Sequence, residues 1–202
     1  MFKSRVVIRQ GITDEDVRAL AESLGWELVA EVDGDPETGR SPELVWRIPE
    51  RDVQVNVIEE LIAYATISSQ NESSVLEMVS TLEDEHSTFF HSKEEILDVW
   101  EEVVYNEDFE AARAAVMYVG IAAPQRPDSR FVSVFEQALT IDDEEVRVAT
   151  FDAMSYPKWV ELKQLAERAK KDDSSERVRW KANRLLEAFA HFGWDKLALP
   201  PA

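Results

Sequence analysis

The sequence contains no cysteine, which excludes disulfides, thiolate nucleophiles and cysteine-based metal sites. Basic residues are also scarce, since 22 Lys and Arg face 41 Asp and Glu and leave a formal net charge of −19. A chain this acidic repels nucleic-acid phosphates and anionic lipid surfaces, so we expect neither nucleic acid nor membrane as a direct partner. The partner that such a charge favours is a basic protein.

Long apolar runs are missing as well. No segment approaches the ~18 apolar residues of a membrane span, and the N-terminus carries only the short run Val6-Val7-Ile8. A secretory signal would need a longer apolar stretch and a small-residue cleavage site. We therefore expect a soluble, cytoplasmic protein. Its 202 residues, 45% of them hydrophobic, suffice to bury a core.

The usual sequence signatures of catalysis and cofactor binding are absent. There is no Gly-rich phosphate loop, no Gly-x-Ser-x-Gly elbow and no Walker-type lysine. Glu83-x-x-His86, with His91 beyond it, offers metal-ligand residue types, but a dimetal site between helices needs two such motifs. The segment from Asp33 to Leu44 has Thr38 at the sixth position and Leu44 at the twelfth, where a calcium loop needs Gly and Glu. We predict no catalytic, cofactor-binding or metal-binding residue, and a protein that is not an enzyme.

Residues 1–90 have the pattern of a mixed α and β region. Strand-like segments with β-branched or alternating apolar residues occur at 5–9, 26–32, 44–48, 53–57 and 62–67. Thr13 precedes three acids and an apolar helical stripe that Gly25 ends, which is typical of a capped helix. A second helix is predicted over 71–82. These segments predict an α+β region with an antiparallel sheet.

Residues 91–202 contain no convincing strand. Apolar residues recur there at helical spacing in successive stripes, separated by breaks at 124–128 and at Tyr156-Pro157. The fold class predicted for the whole chain is therefore α+β, with a small N-terminal region (1–90) followed by an all-helical stack (91–202).

The helical half repeats itself in sequence. An acidic segment followed by Val146-Arg147 recurs 32 residues later as an acidic segment followed by Val178-Arg179, and a weaker copy includes Arg113. The second copy continues with Ala182 and then Leu185-Leu186. A period of this length indicates stacked helix pairs. We expect the acid to cap its helix, and the arginine to reach the acids of the next copy.

This pattern resembles the HEAT-like repeats, over roughly residues 93–194. Thr150 takes the alanine position of the repeat in the first full copy and departs from the pattern. The resemblance implies a scaffold that binds other macromolecules along one face, and it implies no chemistry.

The negative charge is concentrated in one part of the chain. Residues 83–110 hold eleven acids and a single lysine, whereas residues 147–186 hold ten basic residues and six acids. A solvated helix face that keeps the protein soluble is one interpretation. The other is an electrostatic docking surface for a basic protein. The residues proposed for partner binding are Glu94, Glu95, Asp98, Glu101, Glu102, Glu107, Asp108 and Trp180.

Tryptophan supplies the aromatic member of that set. Trp100 lies on an apolar stripe, which predicts a core position. Trp180 lies off its stripe among Arg179, Lys181 and Arg184, and Trp159 follows Pro157, so each is either an exposed anchor or packing between repeats.

The function that these features favour is non-enzymatic protein binding by an acidic module. An inhibitor or immunity-type protein, which neutralises a basic toxin or nuclease by electrostatic and steric blocking, fits best. A DNA-mimicking inhibitor is a variant of this class. The alternatives are a helical-repeat adaptor in a larger complex, and a regulatory domain of an enzyme with an unrecognised N-terminal active site.

Overall fold

A computed structural model describes residues 1–35, 37–60 and 62–194 of the chain. The chain divides into two compact units, Met1–Ser92 and Lys93–Ala202. The first combines a sheet with two helices and the second is helical, which confirms the predicted α+β class. None of the helices in the described part of the chain is both long and apolar enough to cross a lipid bilayer.

The first unit is built on an antiparallel sheet of six strands in the order β2-β3-β4-β5-β1-β6. The strands are β1 (Phe2–Ile8), β2 (Glu27–Val32), β3 (Glu43–Ile48), β4 (Val53–Ile58), β5 (Tyr64–Ser69) and β6 (Phe90–His91). Alternation in β4 buries Val53, Val55 and Val57 and directs the residues between them to the other face. The predicted strand at 62–67 begins two residues later than expected, at Tyr64.

Two helices, α1 (Asp14–Ser23) and α2 (Glu72–Ser80), contribute to one hydrophobic core with the sheet. The side chain of Thr13 accepts a hydrogen bond from the Asp16 amide and the Asp16 carboxylate accepts one from the Thr13 amide, so the predicted cap is a full capping box. After α2 the chain continues as a π-helical turn, Thr81–Glu85, where the sequence predicted more α-helix. The two-residue strand β6, which pairs with β1, was not predicted.

The second unit consists of six helices within the residues described. They are α3 (Lys93–Tyr105), α4 (Phe109–Ala122), α5 (Ser129–Ala138), α6 (Glu144–Met154), α7 (Leu162–Asp172) and α8 (Glu176–Phe192). Helix α3 packs on α4, α5 on α6 and α7 on α8, while α4, α6 and α8 pack on one another in sequence. The unit is thus a stack of three helix pairs, in which α4, α6 and α8 form one layer.

Helices α3, α5 and α7 form the other layer, and polar contacts join each helix pair to the next there as well. The Nε1 of Trp100 in α3 donates a hydrogen bond to Oε1 of Gln137, 2.9 Å away, near the end of α5. Arg168 of α7 lies 3.5 Å from Glu136 of α5. Trp100 is 1% exposed, which confirms its predicted core position.

The arginines of the two clearest sequence copies make the same backbone contacts. Nη1 of Arg147 donates to the carbonyl oxygens of Ile141 and Asp142, at 2.7 and 2.9 Å. Nη1 of Arg179 donates to the carbonyl oxygens of Asp173 and Ser174, at the same two distances. Each arginine therefore ties its own helix to the turn that precedes it, six and five residues back.

Only Arg147 also reaches the next copy. Its Nε lies 3.0 Å from Oδ2 of Asp173, and both side chains are almost fully buried. This is the predicted bridge from an arginine to the acids of the next copy. Asp143, the acid at the start of α6, accepts a hydrogen bond from the Val146 amide at 2.9 Å, so the predicted acidic cap is present in this copy. In the next copy the prediction is wrong, because the cap of α8 is Ser175, whose side chain accepts from the Val178 amide.

Helices α4 and α6 are in close backbone contact at Gly120. A Cβ atom built on Gly120 would lie 2.4 Å from the carbonyl oxygen of Ala153 and 2.6 Å from its Cα. Since real Cβ atoms do not come this close to backbone, only glycine fits at this position. Thr150, which takes the alanine position of the repeat, is fully buried, and its hydroxyl donates a hydrogen bond to the Val146 carbonyl, 2.8 Å away.

Candidate functional site

The acidic residues proposed for partner binding lie on α3 and on the turn that joins α3 to α4. Helix α3 buries Ile96 and Trp100 on one side. The helical period then places Glu94, Asp98 and Glu101 in one row on the opposite side, at spacings of four and three residues, with Glu102 beside Asp98. We call Asp98, Glu101, Glu102 and Glu107 the acidic surface.

These four carboxylates have no partner among the residues that the structure describes. All four residues are exposed, and no side-chain hydrogen bond or ion pair joins them to any other residue that the structure describes. Four like charges on one helix and its following turn repel one another, which lowers the stability of the folded chain. A bound cation from another molecule would offset this repulsion.

The other three predicted acids have neighbours or less exposure. Glu94 lies 3.5 Å from Nη1 of Arg130. Asp108 accepts a hydrogen bond from the Ala111 amide at 3.0 Å and so caps α4. Glu95 is half-buried. These residues flank the acidic surface but are held by the fold, so they contribute less free charge to a partner.

Arg130 forms the edge of this region. Its guanidinium lies 2.9 Å from Asp128, and the hydrogen bonds and attraction of Asp128 and Glu94 raise the pKa of Arg130. The hydrogen bond from Arg130 in turn lowers the pKa of Asp128. Both groups therefore stay charged, and the chain's own arginine marks one end of the acidic row.

Glu107 occupies a backbone conformation that glycine normally takes. Its φ angle is +56°, and its amide bonds to the Val104 carbonyl while the Asp108 amide bonds to that of Val103. This pair of hydrogen bonds defines a Schellman motif with Glu107 at the C′ position. A carboxylate here lies near the negative end of the α3 dipole but also near the positive N-terminus of α4, so the two dipoles oppose each other. Glu107 is thus unfavourable for stability through its backbone conformation.

Replacing Glu107 with glycine should therefore raise the free energy of unfolding by about 1 kcal/mol, because it relieves the left-handed strain. The matched variant Glu107→Gln removes the charge but keeps the strain, and it should gain less. Urea unfolding followed by circular dichroism measures both. A glutamine variant as stable as the glycine variant would contradict the proposed strain.

Two exposed aromatic residues beside the acidic surface were missed in the sequence. Tyr105, the last residue of α3, is 87% exposed, and Phe109, the first residue of α4, is 37% exposed. Tyr105 continues the row of Asp98 and Glu101, because it follows them by seven and four residues. That spacing was the signal that could have found it.

Trp180 lies in a different part of the second unit. It is 57% exposed on α8, in the third helix pair, whereas the acidic residues belong to the first pair. The structure therefore does not bring Trp180 into the acidic surface. Trp159, the other possible anchor, is buried, and its Nε1 donates to the carbonyl oxygen of Pro124 at 3.1 Å, so it serves packing.

Three of the basic residues near Trp180 are already paired with acids of the same unit. Lys181 lies 2.6 Å from Asp152, Arg177 lies 3.6 Å from Glu144 and also contacts Glu145, and Arg184 lies 2.7 Å from Glu187. These basic residues thus neutralise acids of α6 and α8 locally. Helix α3, by contrast, keeps Asp98, Glu101 and Glu102 without a cation among the described residues.

The first unit contains a cavity of about 220 Å³ at one end of the sheet. Its lining includes five carboxylates, from Asp14, Glu31, Asp33, Glu43 and Glu59. The neighbouring charge of Asp14 raises the pKa of Glu59, with a smaller contribution from burial. Among the described residues no group of three or more His, Asp or Glu side chains is arranged to hold a metal ion.

The acidic surface therefore combines four carboxylates without a partner among the described residues, an unusual backbone position, and the exposed rings of Tyr105 and Phe109 beside it. The carboxylate-lined cavity of the first unit is a second candidate site. No known protein family, curated protein sequence or solved structure matches this chain.

Proposed function

We propose that this chain is a non-enzymatic, acidic protein-binding module, of the kind that neutralises a basic toxin or nuclease. The observation that carries the proposal is the acidic surface itself, with four exposed carboxylates that have no cation within the described residues. Such a surface would attract a basic partner and speed its encounter. It would also cover the lysines and arginines that the partner uses for an anionic substrate.

The helical stack supports a binding role in a second way. Helix pairs that repeat at intervals of 34 and 32 residues are consistent with the HEAT-like resemblance, and the last two copies make equivalent arginine contacts. A stack of this kind presents a rigid, extended surface. Trp180 is proposed as a second contact, which a partner would reach only if it extends from α3 to α8.

The proposal is tested on the partner captured from the native source and identified by mass. The variant Asp98→Asn/Glu101→Gln/Glu102→Gln/Glu107→Gln should slow association about tenfold at low salt and flatten its salt dependence, because steering depends on these charges. Trp180→Ala should instead accelerate dissociation, since a buried aromatic anchor acts on the bound state. Surface plasmon resonance separates the two rates.

The matched control neutralises four exposed acids of the first unit. Glu22, Glu27, Glu37 and Glu50 are exposed, and their replacement by glutamine changes the net charge by the same amount. This control variant should bind almost as the unaltered chain does. If both quadruple variants bind alike, the acidic surface is not the docking site, and net charge alone governs association.

The second candidate is an enzyme whose active site lies in the first unit. The carboxylate-lined cavity favours it, because Asp14 raises the pKa of Glu59 and a carboxyl group with a raised pKa suits general acid catalysis. A captured partner whose binding is unaffected by Glu59→Gln supports the binding module. A small-molecule turnover that Glu59→Gln abolishes would support the enzyme.

A further inference from the structure

Tyr105 is an aromatic side chain with no function inside the fold. It is 87% exposed, and no other large hydrophobic side chain in the described part of the chain is as exposed. No hydrogen bond, ion pair or ring contact joins it to another described residue. Exposed aromatic residues of this kind are enriched in protein–protein interfaces, where they are buried by the partner.

The carboxylates next to Tyr105 are placed to act together with its ring. Glu101 precedes it by one helical turn on the same face, and Glu102 precedes it by three residues, which is also a neighbouring position on a helix. Phe109 follows after the turn and is partly exposed. The end of α3 therefore combines two carboxylates with an aromatic face.

An arginine already binds at the opposite end of the same row. Arg130 of α5 contacts Glu94 in the first turn of α3. No cation contacts Asp98, Glu101 or Glu102 among the residues that the structure describes. At one end of the row, Glu94 thus binds an arginine of the chain itself. At the other end, Asp98, Glu101 and Glu102 lie next to Tyr105 and are accessible to another molecule.

Resting on the proposed function, we infer that the partner docks through arginine, with a guanidinium bound by Glu101 and Glu102 and stacked on the Tyr105 ring. A guanidinium is planar, bonds a carboxylate through two parallel N–H groups and stacks on aromatic faces. A lysine ammonium binds the same carboxylates but has no planar face to stack. The partner's contact surface is therefore arginine-rich in particular, beyond being basic.

The test uses the full chain and two fluorescent probes of equal length and charge, deca-arginine and deca-lysine. Fluorescence anisotropy gives the Kd of each. We expect deca-arginine to bind more tightly than deca-lysine, and Tyr105→Ala to weaken deca-arginine binding about two- to fivefold while leaving deca-lysine binding nearly unchanged. Tyr105→Phe keeps the ring and should keep the preference for arginine. Phe192→Ala, which removes another exposed aromatic side chain, should have no effect.

The outcomes separate this inference from the proposed function. If Tyr105→Ala weakens neither probe, or both equally, stacking of arginine on Tyr105 is wrong. In that case, loss of probe binding in the quadruple acidic variant but not in its control still supports the acidic surface as the docking site. If neither probe binds the unaltered chain, the inference and the proposed function fail together.

Discussion

The Arg147→Met variant should unfold with a free energy about 3–5 kcal/mol lower than that of the unaltered chain. Arg147 is 9% exposed and serves three acceptors, the Asp173 carboxylate and the carbonyl oxygens of Ile141 and Asp142. Methionine fills a similar volume but donates no hydrogen bond. The variant leaves a nearly buried carboxylate without its counter-charge, which is the largest part of the expected loss.

Arg179 provides the matched comparison within the same molecule. It bonds to the carbonyl oxygens of Asp173 and Ser174 as Arg147 does to its own turn, but it has no ion pair among the described residues. Arg179→Met should therefore cost only about 1–2 kcal/mol. Urea unfolding followed at 222 nm measures both variants. Equal losses would mean that the Arg147–Asp173 ion pair contributes nothing beyond the carbonyl contacts.

The second large effect concerns Gly120. Alanine is the better helix former by about 1 kcal/mol, so intrinsic propensity alone predicts that Gly120→Ala stabilises α4. The close contact with Ala153 predicts the opposite, because the new methyl group would lie 2.4 Å from the Ala153 carbonyl oxygen. This oxygen belongs to the backbone of α6, so it cannot move away by a change of rotamer. We expect a net loss of about 1–3 kcal/mol or more, as α4 and α6 are forced apart.

A control in the same helix measures the difference in helix propensity between alanine and glycine. Ala114 is an exposed residue of α4, and Ala114→Gly should lose about 1 kcal/mol through propensity alone. The two substitutions are opposite in chemistry but should both destabilise. If Gly120→Ala raises the unfolding midpoint, α4 and α6 do not pack as closely as described.

Local rules predicted most of the secondary structure. Thr13 with its acids and Asp143 before Val146 are caps that depend on neighbouring residues alone, and both are present. The alternation of Val53, Val55 and Val57 likewise identified β4. Strand β6 was missed because two residues are too few to show alternation; its strand conformation depends on pairing with β1, about eighty residues earlier in the chain.

The candidate site was predicted only in part, again because local spacing can be inferred from the sequence and long-range packing cannot. The acids of α3 cluster in sequence, so their common surface could be inferred from spacing. Trp180 lies some eighty residues later, and its distance from that surface depends on how three helix pairs stack. The unusual conformation of Glu107 could not be predicted either, because glycine is the residue that normally indicates a Schellman turn.

The buried contact between Arg147 and Asp173 also bears on how the stack comes apart. Asp173 belongs to the turn before α8, and it is held by Arg147 from α6 through its carboxylate and by Arg179 from α8 through its carbonyl. Unfolding of the last helix pair therefore also leaves Arg147, on the preceding pair, without its counter-charge. Arginine and aspartate here couple neighbouring repeats, so α5 to α8 should exchange their amide hydrogens as one cooperative block and not pair by pair.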